Sequence, residues 1–199
     1  MESKFDQAIR NGKPHFFKRA KLVKDFGWVD WIQLISTHPD KDKKDLELKV
    51  FNRKKESIEI RSLQLRDKCP DFAKDQLRWM RSKFKKNRVT LIGFTGFGKN
   101  SKSFSIHRDK MDVLYLQTLG SVTLSLWNTY EPVEPEMVTT SGMSSEEVDR
   151  NFYCFFRETL QPDQAVWIPR GTFHLIEPLE TRLGFSFGVE GDINPSSYI

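Results

Sequence analysis

The sequence predicts a mainly β protein, a barrel or sandwich of short strands in its second half, with added helices and a mixed α/β first half. Three observations carry this. From Val89 onward, short apolar or alternating segments follow one another, each bounded by turn residues. At 199 residues the chain can bury one sizeable core but not two ordinary domains, so 1–199 reads as a single domain. The halves also differ electrically: residues 1–100 hold 25 Lys/Arg and 13 Asp/Glu, residues 101–199 hold 7 and 14, giving +12 and −7 within a net charge of +5.

In chain order, MESKFDQAIRNGKPHFF mixes charges from the start and lacks the apolar core of a leader peptide, and no apolar run approaches the roughly 20 residues of a spanning helix. The expectation is a cytoplasmic protein. LVKDFGWVDWIQLIS spaces Trp28, Trp31, Ile32 and Leu34 as a helix does, whereas Asp40 to Asp45 (DKDKKD) is a solvated turn. LELKVFNRKKESIEIRSLQL alternates on both sides of NRKKE and reads as a hairpin. After Pro70, DFAKDQLRWMRSKFKK sets Phe72, Leu77, Met80 or Trp79, and Phe84 on one side of an amphipathic helix. Residues 1–88 thus form a basic α/β region expected to pack on the barrel.

The barrel itself is expected over 89–190, built from VTLIGF, DVLYLQTLG, SVTLSLW, QAVWIP, FHLI and TRLGFSFGV. Residues 129–150, rich in Pro and acids, read as a surface insertion with a short helix at SSEEVDR. Cys69 and Cys154 have no paired spacing and read as free thiols, excluding a disulfide framework or a zinc knuckle.

The chemistry concentrates in three residues. His107 and Asp109 stand at the start of one strand, and His174 follows a Pro-Arg-Gly turn 65 residues after Asp109. Two polar side chains on one strand face must be satisfied, and a metal ion would do so. Two histidines and one carboxylate on one side of an ion, with the other positions open, make the facial triad of non-haem iron(II) oxygenases. Spacing alone would better suit surface or turn residues and a satisfied core His174.

The surrounding residues decide otherwise. HRDKMDVLYLQTLGSVTLSLW, LQPDQAVWIPRGTFH and RLGFSFGV resemble the cupin-like, JmjC-related dioxygenases that depend on Fe(II) and 2-oxoglutarate, over roughly residues 89–190. The resemblance implies a double-stranded β-helix, the jelly roll of cupins, with His107, Asp109 and His174 as iron ligands. It also implies oxidative decarboxylation of 2-oxoglutarate coupled to hydroxylation of a C–H bond.

Where many relatives carry a Lys for the far carboxylate of 2-oxoglutarate, this chain has Val122. A dicarboxylate still needs a cation, preferably a bidentate fork. In TRLGFSFGV, Arg182, Gly184, Ser186 and Gly188 share one face and Leu183, Phe185, Phe187 and Val189 the other. The bulky face should pack in a core, leaving Arg182 and Ser186 to line a cavity, with Lys102 as the runner-up cation; the alternative is that Arg182 is a solvent-facing strand residue. Tyr115 and Gln117 share a strand face with Val113, at positions that similar relatives use to line the co-substrate site, Gln117 to donate to a carboxylate and Tyr115 to hydrogen-bond or stack; either would equally suit a satisfied core polar group.

A protein side chain is the substrate the resemblance favours, with RNA or a small metabolite behind it. The basic first half, notably RWMRSKFKKNR, suits an acidic partner such as nucleic acid, although Trp79 and Phe84 at helical spacing suit a core face better. Homodimerisation would fit family habit. The competing classes are a non-catalytic cupin serving as a binding module and a cupin enzyme with another metal.

Overall fold

The computed structural model describes residues 3–20, 26–36, 46–51, 57–63, 71–85, 87–99, 101, 105–134, 137 and 139–191. The turns expected at 40–45 and 52–56, Cys69 and the candidate Lys102 lie outside the described residues.

Two sheets form the barrel. The larger has seven strands in the order β1 (His15–Phe17), β8 (Gln164–Ile168), β5 (Asp112–Leu119), β10 (Arg182–Glu190), β4 (Arg88–Gly96), β3 (Ser57–Leu63) and β2 (Leu46–Phe51). The smaller has the order β7 (Phe152–Leu160), β6 (Val122–Thr129) and β9 (Phe173–Pro178). Every pairing is antiparallel. The expected hairpin is β2–β3, which extends the barrel's larger sheet through β4.

Period-two side-chain alternation sorts the larger sheet's residues between two cores. Leu114 and Leu116 of β5 and Leu183, Phe185, Phe187 and Val189 of β10 face outward, into a cluster with Phe5, Trp31, Leu77, Met80 and Phe84. Val113 and Tyr115 face inward, joining Val122, Leu124, Leu126 and Val166 between the sheets. Central strands buried on both faces explain why DVLYLQTL reads as one apolar run.

The outer core is roofed by α1 (Lys4–Arg10), α2 (Trp28–Ser36) and α3 (Asp71–Lys83). Helix α1, which the sequence pattern did not reveal, starts at a Ser3–Asp6 capping box, and the Asp6–Lys83 ion pair ties it to α3. In α3 it is Met80 that is buried, while Trp79 stays 39% exposed and stacks on Phe5 at 5.7 Å between ring centroids. Phe84 stacks on Trp167 at 5.5 Å. Both aromatic residues of the basic segment are therefore engaged in packing within the fold.

β7 was also unread in the sequence. Its exposed middle and its register shift opposite Leu126/Trp127 blur the alternation that marks a strand. Between β6 and β7, the 129–150 segment carries α4 (Ser145–Asn151), capped by a Ser144–Glu147 box. Its Val133, Met143 and Val148 pack with Met137 against Ile106, Phe152 and Phe173 on the outside of the smaller sheet. The segment thus covers the outside of the strand that presents His174. Among the described residues, no helix is long and apolar enough to cross a membrane.

Candidate metal centre and co-substrate cavity

His107 does not sit on a regular strand. It forms lone bridges to His174 on one side and Thr139 on the other, acting as a rudimentary strand beside β9. The His107 N–H donates to the His174 carbonyl at 3.1 Å and the His174 N–H returns a bond to His107 at 2.7 Å. Asp109 lies in the loop before β5, where its carbonyl accepts from the Gly171 N–H at 2.9 Å. The pair expected on one strand face is therefore held by bridge and loop contacts instead of by alternation along β5.

This places the three side chains together, with one ligand atom from each lying within 4.8 Å of the others. The imidazole centroids are 4.2 Å apart, and Nε2 of His174 is 3.6 Å from Oδ2 of Asp109. Nδ1 of His107 lies 3.0 Å from the Ser105 carbonyl and Nδ1 of His174 lies 3.0 Å from the Thr172 carbonyl. A carbonyl only accepts, so each Nδ1 carries the proton and each Nε2 lone pair is available to a metal.

Burial of His174, which is 4% exposed, pushes its pKa down to about 4; neighbouring His107 acts in the same direction and Asp109 opposes both. The ring is thus neutral, the form that binds metal, throughout the physiological range. The linkage sign follows: between pH 6.5 and about 4 the unfolded chain takes up a proton that the folded metal-free protein refuses. Stability should therefore decline as pH falls through that window, by at most about 1.4 kcal/mol per unit for one such group. Chemical denaturation of metal-free protein at a series of pH values checks this, and a His174→Gln variant should lose that contribution to the slope.

A cavity of about 240 Å³ opens from the triad between the sheets. Its walls are mostly apolar, with Ile92, Met111, Val113 and Ile176 among them, and its polar groups include Tyr115, Arg182 and Ser186. The register pairs Gly188 with Val113 near the metal loop and Leu183 with Leu119, so Arg182 enters from the opposite end of β5. Arg182 is 1% exposed, its Nη1 donates to the Tyr115 hydroxyl at 3.4 Å, and its Nε has no hydrogen-bond partner among the described residues.

The other predicted positions separate. Ser186 lines the cavity; Gln117 does not, because its amide nitrogen donates to the carbonyls of Leu119 at 2.8 Å and Gly120 at 3.0 Å. A direct bond from Gln117 to a carboxylate is therefore not available in this arrangement. Val122 is fully buried among the inner apolar residues. The small residues of β10 make room for protein atoms: a Cβ on Gly184 would lie 2.2 Å from the Tyr115 hydroxyl, and one on Gly188 would lie 2.3 Å from the Met111 sulfur.

Two contributors went unread in the sequence. Met111 lines the cavity beside the triad. Arg108, between the two ligand candidates, donates to the carbonyls of Met137 at 2.8 Å and Glu134 at 2.9 Å and lies over the Phe173 ring, pinning the 129–150 segment behind the site. The side chain flanked by His107 and Asp109 was the available signal.

A β-barrel with two imidazoles and a carboxylate gathered at one cavity defines the class to which the comparisons point. Residues 75–194 match the JmjC domain family, and the chain belongs to it. Among solved structures it is similar to Escherichia coli YcfD, with TM-score 0.64 and 12% identity over 98% of this chain and 54% of that one. A second structure, described as the E. coli ribosomal oxygenase YcfD, gives 0.62 and 13% over 98% and 54%. A third, of YcfD with cobalt and 2-oxoglutarate, gives 0.61 and 14% over 98% and 53%. The chain spans about half the length of these proteins. No curated protein sequence matches it significantly.

Proposed function

We propose that this chain is an Fe(II)- and 2-oxoglutarate-dependent oxygenase that hydroxylates a C–H bond of a protein side chain. The observation that carries the reading is one cavity with His107, Asp109 and His174 at its head and the buried Arg182 guanidinium reaching in from the other side. Two imidazoles and a carboxylate suit Fe(II) and leave positions open for further ligands. A buried guanidinium whose Nε has no partner among the described residues suits the far carboxylate of a dicarboxylic acid. JmjC family membership supports the same cofactor pair, and the ribosomal oxygenase description of YcfD supports a protein substrate.

In this reading His107, Asp109 and His174 hold the metal, Arg182 anchors 2-oxoglutarate, and Tyr115 and Ser186 complete the polar end of its site. Bound iron with 2-oxoglutarate supplies oxygen activation, decarboxylation to succinate and carbon dioxide, and delivery of hydroxyl to the substrate. The chain's own residues orient the ligands through the Ser105 and Thr172 carbonyls and exclude water with the apolar walls. The basic region at residues 1–88 and the 89–190 barrel form one unit in this proposal, an arrangement supported by β1, β2 and β3 joining the barrel's larger sheet.

The test is an anaerobic titration of metal-free protein with Fe(II) and then 2-oxoglutarate, followed through the visible metal-to-ligand charge-transfer band. Appearance of the band is the expected result. Tight metal binding with no band at saturating 2-oxoglutarate overturns the proposal in favour of another cupin chemistry or a binding module.

A further inference from the structure

Resting on the oxygenase reading above, we infer that Gln117 is a positioning residue that fixes the direction of the Tyr115 hydroxyl and so keeps Arg182 available for the far carboxylate of 2-oxoglutarate. The argument starts from Gln117, which is fully buried beside the Leu119–Gly120 turn. Two backbone carbonyls face one end of its amide, at 2.8 and 3.0 Å. Carbonyls only accept, so that end must be the nitrogen, and the amide oxygen is turned to the Tyr115 hydroxyl at 2.7 Å.

The phenol therefore spends its only proton on Gln117. What it offers to Arg182 Nη1, at 3.4 Å, is a lone pair. Burial pushes the Tyr115 pKa up, against the opposing pull of Arg182, so the hydroxyl keeps its proton and remains neutral. The chain of donors runs one way, from Arg182 to Tyr115 to Gln117 to the turn carbonyls.

This order matters electrostatically. A buried cation without any partner is costly, yet a carboxylate partner would compete with an incoming dicarboxylate for the guanidinium. An oriented neutral dipole stabilises the charge without neutralising it, and Nε has no hydrogen-bond partner among the described residues. The backbone is shaped around this relay. The β5–β10 register shifts between Leu183 and Gly184, opposite Leu119 and Gln117, and Gly184 lacks the Cβ that would strike the Tyr115 hydroxyl at 2.2 Å.

The experiment compares wild type, Gln117→Met and Tyr115→Phe by anaerobic titration of the Fe(II)-loaded proteins with 2-oxoglutarate and with 2-oxobutyrate, a 2-oxo acid lacking the far carboxylate. Thermal midpoints are measured alongside. Gln117→Met should weaken 2-oxoglutarate about tenfold and leave 2-oxobutyrate nearly unchanged, collapsing the preference for the dicarboxylate. Tyr115→Phe should do the same, and the double variant should lose no more than Tyr115→Phe alone.

Equal weakening of both ligands by Gln117→Met would mean that Gln117 merely supports the turn, and the inference falls. An unchanged preference in Tyr115→Phe overturns it even if Gln117→Met fails to fold. Wild type giving no band with either acid overturns the oxygenase reading itself, a separate and recognisable failure.

Discussion

Replacing His174 with alanine is expected to abolish 2-oxoglutarate turnover and weaken Fe(II) binding by at least about a hundredfold, since even groups supporting a metal ligand are worth roughly ten- to a hundredfold. The fold should survive. His174 stands at the start of β9, and its main-chain bonds with His107 remain when the side chain is removed. The imidazole itself donates only to the Thr172 carbonyl and otherwise faces Asp109 and His107. A fall of roughly 5 °C in thermal midpoint is the cost of the emptied volume. Circular dichroism melting and the charge-transfer titration on the same preparation separate the two effects. Retention of the band in His174→Ala would remove this residue from the metal centre.

Arg182→Met should separate binding from stability even more sharply. Truncating one partner of a buried charged contact costs several kcal/mol, so the Kd for 2-oxoglutarate should rise roughly a hundredfold to a thousandfold. The unliganded protein should be no less stable than wild type, and its midpoint should rise by a few degrees, because a flexible apolar chain replaces a buried cation whose Nε has no partner among the described residues. Such a pattern, a more stable protein that no longer holds its co-substrate, is what a site carrying unfavourable charge for the sake of function predicts. If Arg182→Met melts lower and binds 2-oxoglutarate as before, Arg182 is an ordinary strand residue, and the cation must be sought elsewhere, with Lys102 first.

The contrast between the two variants follows from how each side chain is supported. His174 is fixed mainly by bonds made by its backbone, which a substitution leaves intact, and its side chain adds only one bond, to the Thr172 carbonyl. Arg182 is fixed by a relay ending at the Leu119–Gly120 turn, where Gly120 has φ +67° and a Cβ would lie 2.1 Å from the Thr181 carbonyl. That glycine is doubly required, by its left-handed backbone and by the close approach of the β10 lead-in.

How much of this was legible in the sequence depended on whether the signal was local. The two faces of β10 could be read from TRLGFSFGV alone, because alternation is a property of the strand itself, and β5, β6, β8 and β9 announced themselves by apolar content between turn residues. The helix at 71–83 was legible from its spacing, but the choice between Met80 and Trp79 was not, since a rotation of one residue is settled by what the helix packs on. Helix α1, seven residues long, carries too short a period to detect and is stabilised by its cap and by Lys83, which lies far away in sequence.

The site divides in the same way. Sequence by itself supplied the candidates: two histidines and an aspartate, set apart by the family resemblance of the segments around them and not by their spacing, and an arginine on the small-residue face of a strand, because alternation is local. Only the tertiary structure decided that His107 meets His174 through paired main-chain bonds, that Asp109 works from a loop, and that Gln117 turns to the backbone while Tyr115 meets Arg182. The physical reason is that hydrogen-bond direction and ligand convergence depend on contacts between segments up to 67 residues apart, and no local pattern encodes which of several compatible partners a buried polar group will take.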